Sequence, residues 1–292
     1  MLFGTTKNPK GPDLNKAVPV RCNLSGTRLL FLKPLRNTPK PQIKGKDIEA
    51  DLPLSFDINI YSSDNFMRVE ERSWGLCFVE EEYKYKGIPL YNPDVGGMVF
   101  SASLRKACDY SNLLLASHYE AWLQDDMNAY FSPGEGSPFD EWMDQYPLFW
   151  QVFSLPKTQC LQWIAYAVQK LNCERGDQTT YFVRSAITSE HELVFSFKTL
   201  TDDYDSGAFE LFKKIVRFIL INIEINLAPS LMSEIRELEE KGERNFSERK
   251  NIIRFDDAPR HEFSNYDLLD DPNLYFAKLG KTVDRRLWVE ES

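Results

Sequence analysis

The chain has 292 residues, 42% hydrophobic and 13% aromatic, which is enough to fill the core of one large or two ordinary domains and excludes wholesale disorder. Its net charge is −9, but residues 1–46 hold ten Lys/Arg against the single acid Asp13, whereas the other 246 residues hold 25 Lys/Arg and 43 Asp/Glu. A head of +9 on a body of −18 narrows the plausible partners, and the anionic body argues against nucleic acid as one of them.

The first ten residues lack the apolar run of a secretory leader. The greasiest stretch, Ile215 to Leu227, is broken by Arg217, Asn222, Glu224 and Asn226, short of the roughly 18–20 apolar residues a membrane span needs. Five cysteines, Cys22, Cys77, Cys108, Cys160 and Cys173, are odd in number and widely spaced, and read as reduced thiols. A cytoplasmic location with no membrane span is therefore expected. The three histidines, His118, His191 and His261, stand at no ligand spacing from a cysteine, so neither a metal nor a cofactor is expected.

In chain order, six prolines in residues 1–46 rule out a long helix there and mark a basic arm. Within it, Val18–Leu24 and Thr27–Leu32 flank a Ser25-Gly26 turn. Residues 47–105 read as β-rich. Leu52, Leu54, Phe56, Ile58 and Ile60 alternate with polar neighbours. Over 76–86, Cys77, Val79, Tyr83 and Tyr85 fall on one side and Glu80, Glu82, Lys84 and Lys86 on the other. Gly96-Gly97 reads as a break before a strand at Met98–Ala102.

Residues 106–292 read as a mixed part, which can form one globular unit with 47–105. Helical spacing runs from Asn112 to Phe131 through Leu115, Tyr119, Trp122, Leu123, Met127 and Tyr130. A short helix is predicted over Pro138–Gln145. Another is predicted to open at Ser154-Leu155-Pro156, with Cys160, Trp163, Ile164, Ala167, Val168 and Leu171 as its buried stripe. Thr179–Ile187 and Glu192–Leu200 make a hairpin. Asp205–Leu227 is read as helix, although Ile219, Ile221, Ile223 and Ile225 also alternate as in a strand. Pro229–Lys241 is an amphipathic helix ending at Gly242, and the last fifty or so residues show little periodicity. The class is α+β, with an antiparallel β-rich N-terminal part, a mixed helix and hairpin part, and a Pro-rich basic arm.

Short motifs carry little chemistry here. Ser103-Leu104-Arg105-Lys106 and Ser63-Asp64-Asn65 have the spacing of serine penicillin-recognising enzymes, but in the wrong order and without a Lys-Thr-Gly strand. Gly280-Lys281-Thr282 lacks the leading glycine of a phosphate loop, since Tyr275 stands there. Asp64, Glu82 and Lys84 form the pattern of a metal-dependent phosphodiesterase, in which two carboxylates hold the ion and a lysine sits near the attacked phosphate. A solvated Glu/Lys strand face produces the same pattern.

Two acidic groups, Glu80 with Glu82 and Asp202-Asp203 with Asp205, fit a surface for a basic protein. The leading expectation is a non-enzymatic cytosolic binding protein that occludes a basic partner surface, in the manner of an immunity or antitoxin protein that inhibits a toxin. The phosphodiesterase built on Asp64, Glu82 and Lys84 and a structural or scaffold component are the alternatives.

Overall fold

Strands β1 (Val18–Leu24) and β2 (Thr27–Lys33) form the first hairpin of the computed structural model, joined by Ser25 and Gly26 at φ 51° and 94°. Positive φ at both central residues matches the turn to the twist of its strands, and glycine adopts it at no steric cost. The structure describes residues 4–5, 7–38, 42–43, 46–47, 55–58, 67–70, 73–88, 94–107, 110, 112–131, 143–171, 178–200, 207–251, 253–254 and 286–287.

Two-residue strands β3 (Gln42–Ile43) and β4 (Lys46–Asp47) pair with each other. β5 (Ser55–Ile58) joins β1 in parallel. β6 (Met67–Glu70), β7 (Ser73–Lys86) and β8 (Asp94–Ala107) make one antiparallel meander. Helix α1 (Ala116–Phe131) leads to a second meander of β9 (Met143–Ser154), β10 (Gln162–Leu171), β11 (Gln178–Ala186) and β12 (His191–Thr199). Then follow α2 (Gly207–Ile221), β13 (Glu224–Asn226), α3 (Pro229–Glu240) and β14 (Ile253–Arg254). β8 and β12 pair antiparallel and fuse the meanders into an eight-stranded sheet ordered β14-β9-β10-β11-β12-β8-β7-β6. A smaller sheet is ordered β13-β2-β1-β5. The expected α+β class with mostly antiparallel sheets is what the chain forms.

The first face of the large sheet is apolar. Phe100, Ala102 and Leu104 lie in register with Phe197, Phe195 and Leu193, and Tyr181 and Val183 extend the row. The small sheet and α2 cover it. Phe31 from β2 sets its edge on Phe195 at 5.3 Å and on Phe100 at 6.2 Å, a favourable quadrupole geometry. α2 packs against β2, β8 and β12 and buries Phe209, Phe212, Ile215, Val216 and Ile219. One core draws on residues from 1–46, 47–105 and 106–292 alike.

The described part of the basic segment lies on the chain's own body. Lys10 exchanges two backbone hydrogen bonds with Lys86, of 2.8 and 2.9 Å. Beyond β2, the Asn37 side chain donates to the Lys84 carbonyl and accepts from the Lys84 amide, and the Thr38 hydroxyl donates to the Glu82 carbonyl. An unpaired strand edge invites pairing with another chain, and here side chains satisfy it. Lys33 and Arg36 both ion-pair with Glu81.

Five expectations change. The helix predicted over Asp205–Leu227 ends at Ile221, and Glu224–Asn226 is strand β13, paired with β2. The helix predicted from Ser154 is strand β10. It is covered on both faces, so its run Trp163–Val168 is apolar throughout and loses the alternation that marks a half-buried strand. The described end of the helix predicted over Pro138–Gln145, from Met143 on, is the start of β9. Gly96-Gly97 lies within β8 rather than before it; a Cβ at Gly97 would collide with the Tyr83 carbonyl, so the close strand approach requires glycine. A bulge between Cys77 and Val79 puts Cys77 on the opposite face from Val79 and Tyr83 and out to solvent. The Pro229 helix keeps its predicted end: Gly242 at φ 73° donates to the Glu239 carbonyl and Glu243 to the Leu238 carbonyl. That pair of bonds is the Schellman arrangement, which satisfies the last carbonyls of the helix.

Candidate functional site

The second face of the large sheet carries the polar machinery of the molecule. On its α1-covered part, Arg184 of β11 is directly cross-strand from Val194, two pairs along from Glu192 on the same face, and it is 1% exposed. Its Nε donates to Glu192 Oε2 at 3.0 Å, a second guanidinium nitrogen bonds Glu192 Oε1, and a third donates to Asp126 Oδ2 at 2.5 Å and to the Tyr166 hydroxyl oxygen at 2.8 Å. Arg105 of β8 grips both oxygens of Asp126, at 2.8 and 2.6 Å. From α1, the Tyr119 hydroxyl donates to Glu192 Oε2 at 2.8 Å and the Trp122 indole N–H to Glu192 Oε1 at 3.0 Å.

Tyr119, Trp122 and Asp126 fall on one helical face, so the helix approaches the sheet with three polar tips on an otherwise apolar stripe. Burial alone would raise the Asp126 carboxyl, but the Arg184 and Arg105 guanidiniums outweigh it and hold the group below its ordinary value. Burial pushes the Tyr166 phenol up to about 12, and burial with the neighbouring Glu192 raises Tyr119 well above its ordinary value. The carboxylate is thus locked charged and the phenols locked neutral. The cluster is a directional clamp that fixes α1 over the sheet.

The chain after α3 runs alongside α1 and reaches β9. Arg244 donates to the Leu114 carbonyl at 3.0 Å, and Ser247 binds Glu120 through its amide and hydroxyl. The Trp150 indole donates to the Ser247 carbonyl at 2.8 Å, with the Lys250 ammonium 5.7 Å above its ring. Trp150, Tyr166 and Phe182 stack across β9, β10 and β11, with centroids 6.1 and 5.3 Å apart.

Beside the clamp this face opens. The register places Glu80, Ser101, Ser196 and Phe182 in one row across β7, β8, β12 and β11, and Glu82, Val99, Lys198 and Thr180 in the next. The Ser101 and Ser196 hydroxyls bond each other at 2.8 Å. Glu80 is exposed and Glu82 half-buried, both on the side the alternation predicts. Lys84 is exposed one step beyond Glu82 on the same side. Asp64, Asp202, Asp203 and Asp205 lie outside the described residues. Among the described residues, no group of three His, Cys, Asp or Glu has the arrangement of a metal site.

Arg105, Asp126, Arg184 and Glu192 were not singled out by sequence reasoning. The available signal was charge on a face that also carries apolar residues: Glu192 beside Val194 on one strand side, and Asp126 four residues after Trp122 on one helix side. His191, which falls between the two predicted strands of the hairpin, opens β12 and is buried, with Nδ1 2.9 Å from the Thr188 hydroxyl. No helix among the described residues is long and apolar enough to cross a membrane. No known protein family matches the chain, and no curated protein shows significant sequence similarity to it.

Proposed function

We propose that this chain is a non-enzymatic binding protein of the cytoplasm that covers a basic surface on a protein partner, as a toxin-neutralising, immunity-like inhibitor does. The open part of the second sheet face is the docking surface, and Glu80 and Glu82 are its charged contacts. The supporting observation is how the carboxylates of this region are used. Glu81 is taken up by Lys33 and Arg36, and Asp126 and Glu192 by Arg184 and Arg105. Glu80 and Glu82 form no ion pair among the described residues and stand outward from a strand whose edge and opposite face are fixed. Held carboxylates on a rigid sheet speed and select encounter with a basic partner, while nearby apolar and aromatic groups such as Val99 and Phe182 add the desolvated contact.

The test is affinity purification from the native host followed by binding measurements on the partner recovered. A stoichiometric basic protein is expected, with Glu80→Lys/Glu82→Lys weakening the complex by about tenfold or more. An unchanged affinity in the double variant would refute the surface. Magnesium- or manganese-dependent cleavage of nucleic acid by the pure chain, lost in Glu82→Ala, would replace this reading with the phosphodiesterase one.

A further inference from the structure

The segment that follows α3, residues 243–251, contains neither helix nor strand, yet it is anchored at both ends. At its start the Ala116 amide donates to the Glu243 carbonyl at 2.8 Å, and buried Arg244 donates to the Leu114 carbonyl at 3.0 Å. The Phe246 and Tyr119 rings meet edge to face there, with centroids 6.2 Å apart. Just past its end, β14 pairs with β9. Between these anchors, Ser247, Glu248, Arg249, Lys250 and Asn251 offer no apolar side chain to the core, and all but Lys250 are exposed. A stretch that buries so little apolar surface opens locally at low cost while its anchors hold.

What holds this stretch down converges on two side chains. The Glu120 carboxylate of α1 takes the Ser247 amide on Oε1 at 2.5 Å and the Ser247 hydroxyl on Oε2 at 2.8 Å, and it also ion-pairs with the Lys250 ammonium. Trp150 of β9 donates its indole N–H to the Ser247 carbonyl and turns its ring to the same ammonium, 5.7 Å from the ring centroid. A carboxylate gives an ammonium a charge-assisted bond, and a ring face adds the attraction of its quadrupole. Trp150 also begins the stack Trp150–Tyr166–Phe182, and Phe182 is in register with Ser196, Ser101 and Glu80. Lys250 therefore sits at one end of a row whose other end is Glu80.

We propose that Glu120 and Trp150 form a site for a lysine side chain, that Lys250 fills it from within the chain, and that residues 247–251 are an autoinhibitory strap displaced by a lysine of a basic protein partner. The inference rests on the reading of the open face as the docking surface for such a partner, and it adds the regulation of that face. The occupant is read from what already sits there: the chain's own ammonium on a carboxylate and a ring face. A partner lysine gains the same two contacts, and the strap loses only exposed polar ones in giving way. Strap and partner thus compete for one place, and the affinity a partner shows is lowered by the fraction of molecules whose strap is closed.

The experiment uses the full chain and fluorescence polarisation with a labelled hexalysine peptide. Lys250→Ala empties the site and leaves Glu120 and Trp150 in place, so hexalysine is expected to bind this variant about tenfold more tightly than the unaltered chain. Arg249→Ala, the same change of charge one residue away, is expected to leave the affinity unchanged, as is Lys250→Arg. Adding Trp150→Leu to Lys250→Ala alters no charge and is expected to remove most of the gain; Glu120→Gln is the second variant at the site, and thermal melts check that each folds. Amide hydrogen exchange is expected to quicken about tenfold in residues 247–251 of Lys250→Ala and to stay as it was in α1. No gain in Lys250→Ala, an equal gain in Arg249→Ala, a gain that survives both site substitutions, or unchanged exchange in residues 247–251 would each overturn the proposal. None of these substitutions touches Glu80 or Glu82. A gain in Lys250→Ala with a partner indifferent to Glu80→Lys/Glu82→Lys upholds the lysine site and refutes the wider surface, and the opposite pair of results refutes the lysine site alone.

Discussion

The two faces of the large sheet are sealed by different physics. On the first, Phe100, Phe195 and Phe197 meet Phe31 and α2 through shape and apolar area, with directional contacts at the β7 edge, where Glu81 pairs with Lys33 and Arg36. On the second, Arg184, Glu192, Asp126 and Arg105 hold α1 through hydrogen bonds of defined direction. An apolar interface tolerates small slides of one layer over another. A bidentate guanidinium–carboxylate pair does not, because a shift of a few tenths of an ångström leaves a buried charge short of a partner. The clamp adds less to net stability than to uniqueness: it gives α1 one position beside the open part of the sheet.

Conservative substitutions sharpen that contrast most. Arg184→Lys keeps the charge but loses the fork, leaving Glu192 or Asp126 with fewer donors than oxygens; a loss of about 2–3 kcal/mol is expected in urea unfolding. Phe195→Leu on the first face is expected to cost about 1 kcal/mol, since apolar swaps of similar volume repack. Equal losses at the two positions would dissolve the distinction.

Next in size is the response to pH, which the second face governs. The folded Asp126 carboxyl lies below its ordinary value, so the stability it contributes is fully present above the unfolded carboxyl range near pH 4 and is lost as pH falls through the lower folded value. Tyr166 acts at the other end. Its folded pKa of about 12 exceeds the unfolded value near 10, so its contribution is whole below pH 10 and is lost as pH rises toward 12. Melting temperatures across pH should fall at both extremes. The acid slope should be shallower in Asp126→Asn, and the alkaline slope shallower in Tyr166→Phe.

The smallest expected effect lies outside both faces. Gly242→Ala forces a Cβ into φ 73° at the end of α3 and should cost about 1 kcal/mol, read from the same unfolding curves with no change in either pH slope.

The N-terminal hairpin and α1, α2 and α3 were legible in the sequence because each buries a single face and so keeps a clean period, whereas β11 with β12, largely buried on both sides, was legible from two β-rich runs around a short polar turn. β10 was not, because it is covered on both sides and carries no period to read. The β7 bulge was not, because one inserted residue moves Cys77 to the opposite face from Val79 without changing the composition around it. Of the candidate surface, Glu80, Glu82 and Lys84 were legible as one side of a strand. Their neighbours Ser101, Ser196 and Phe182 come from strands distant in sequence, and only strand pairing sets them in one row.

By itself the sequence determined the class of fold, most element types and the uneven distribution of charge, because propensity, periodicity and formal charge are local properties. Tertiary structure alone decided which charges face one another. The basic head became half of an ion-paired seam with Glu81, and Arg184 found Asp126 across 58 positions of chain. A buried charge is stable only beside a directional partner, and that partner is chosen by packing in three dimensions rather than by distance along the chain.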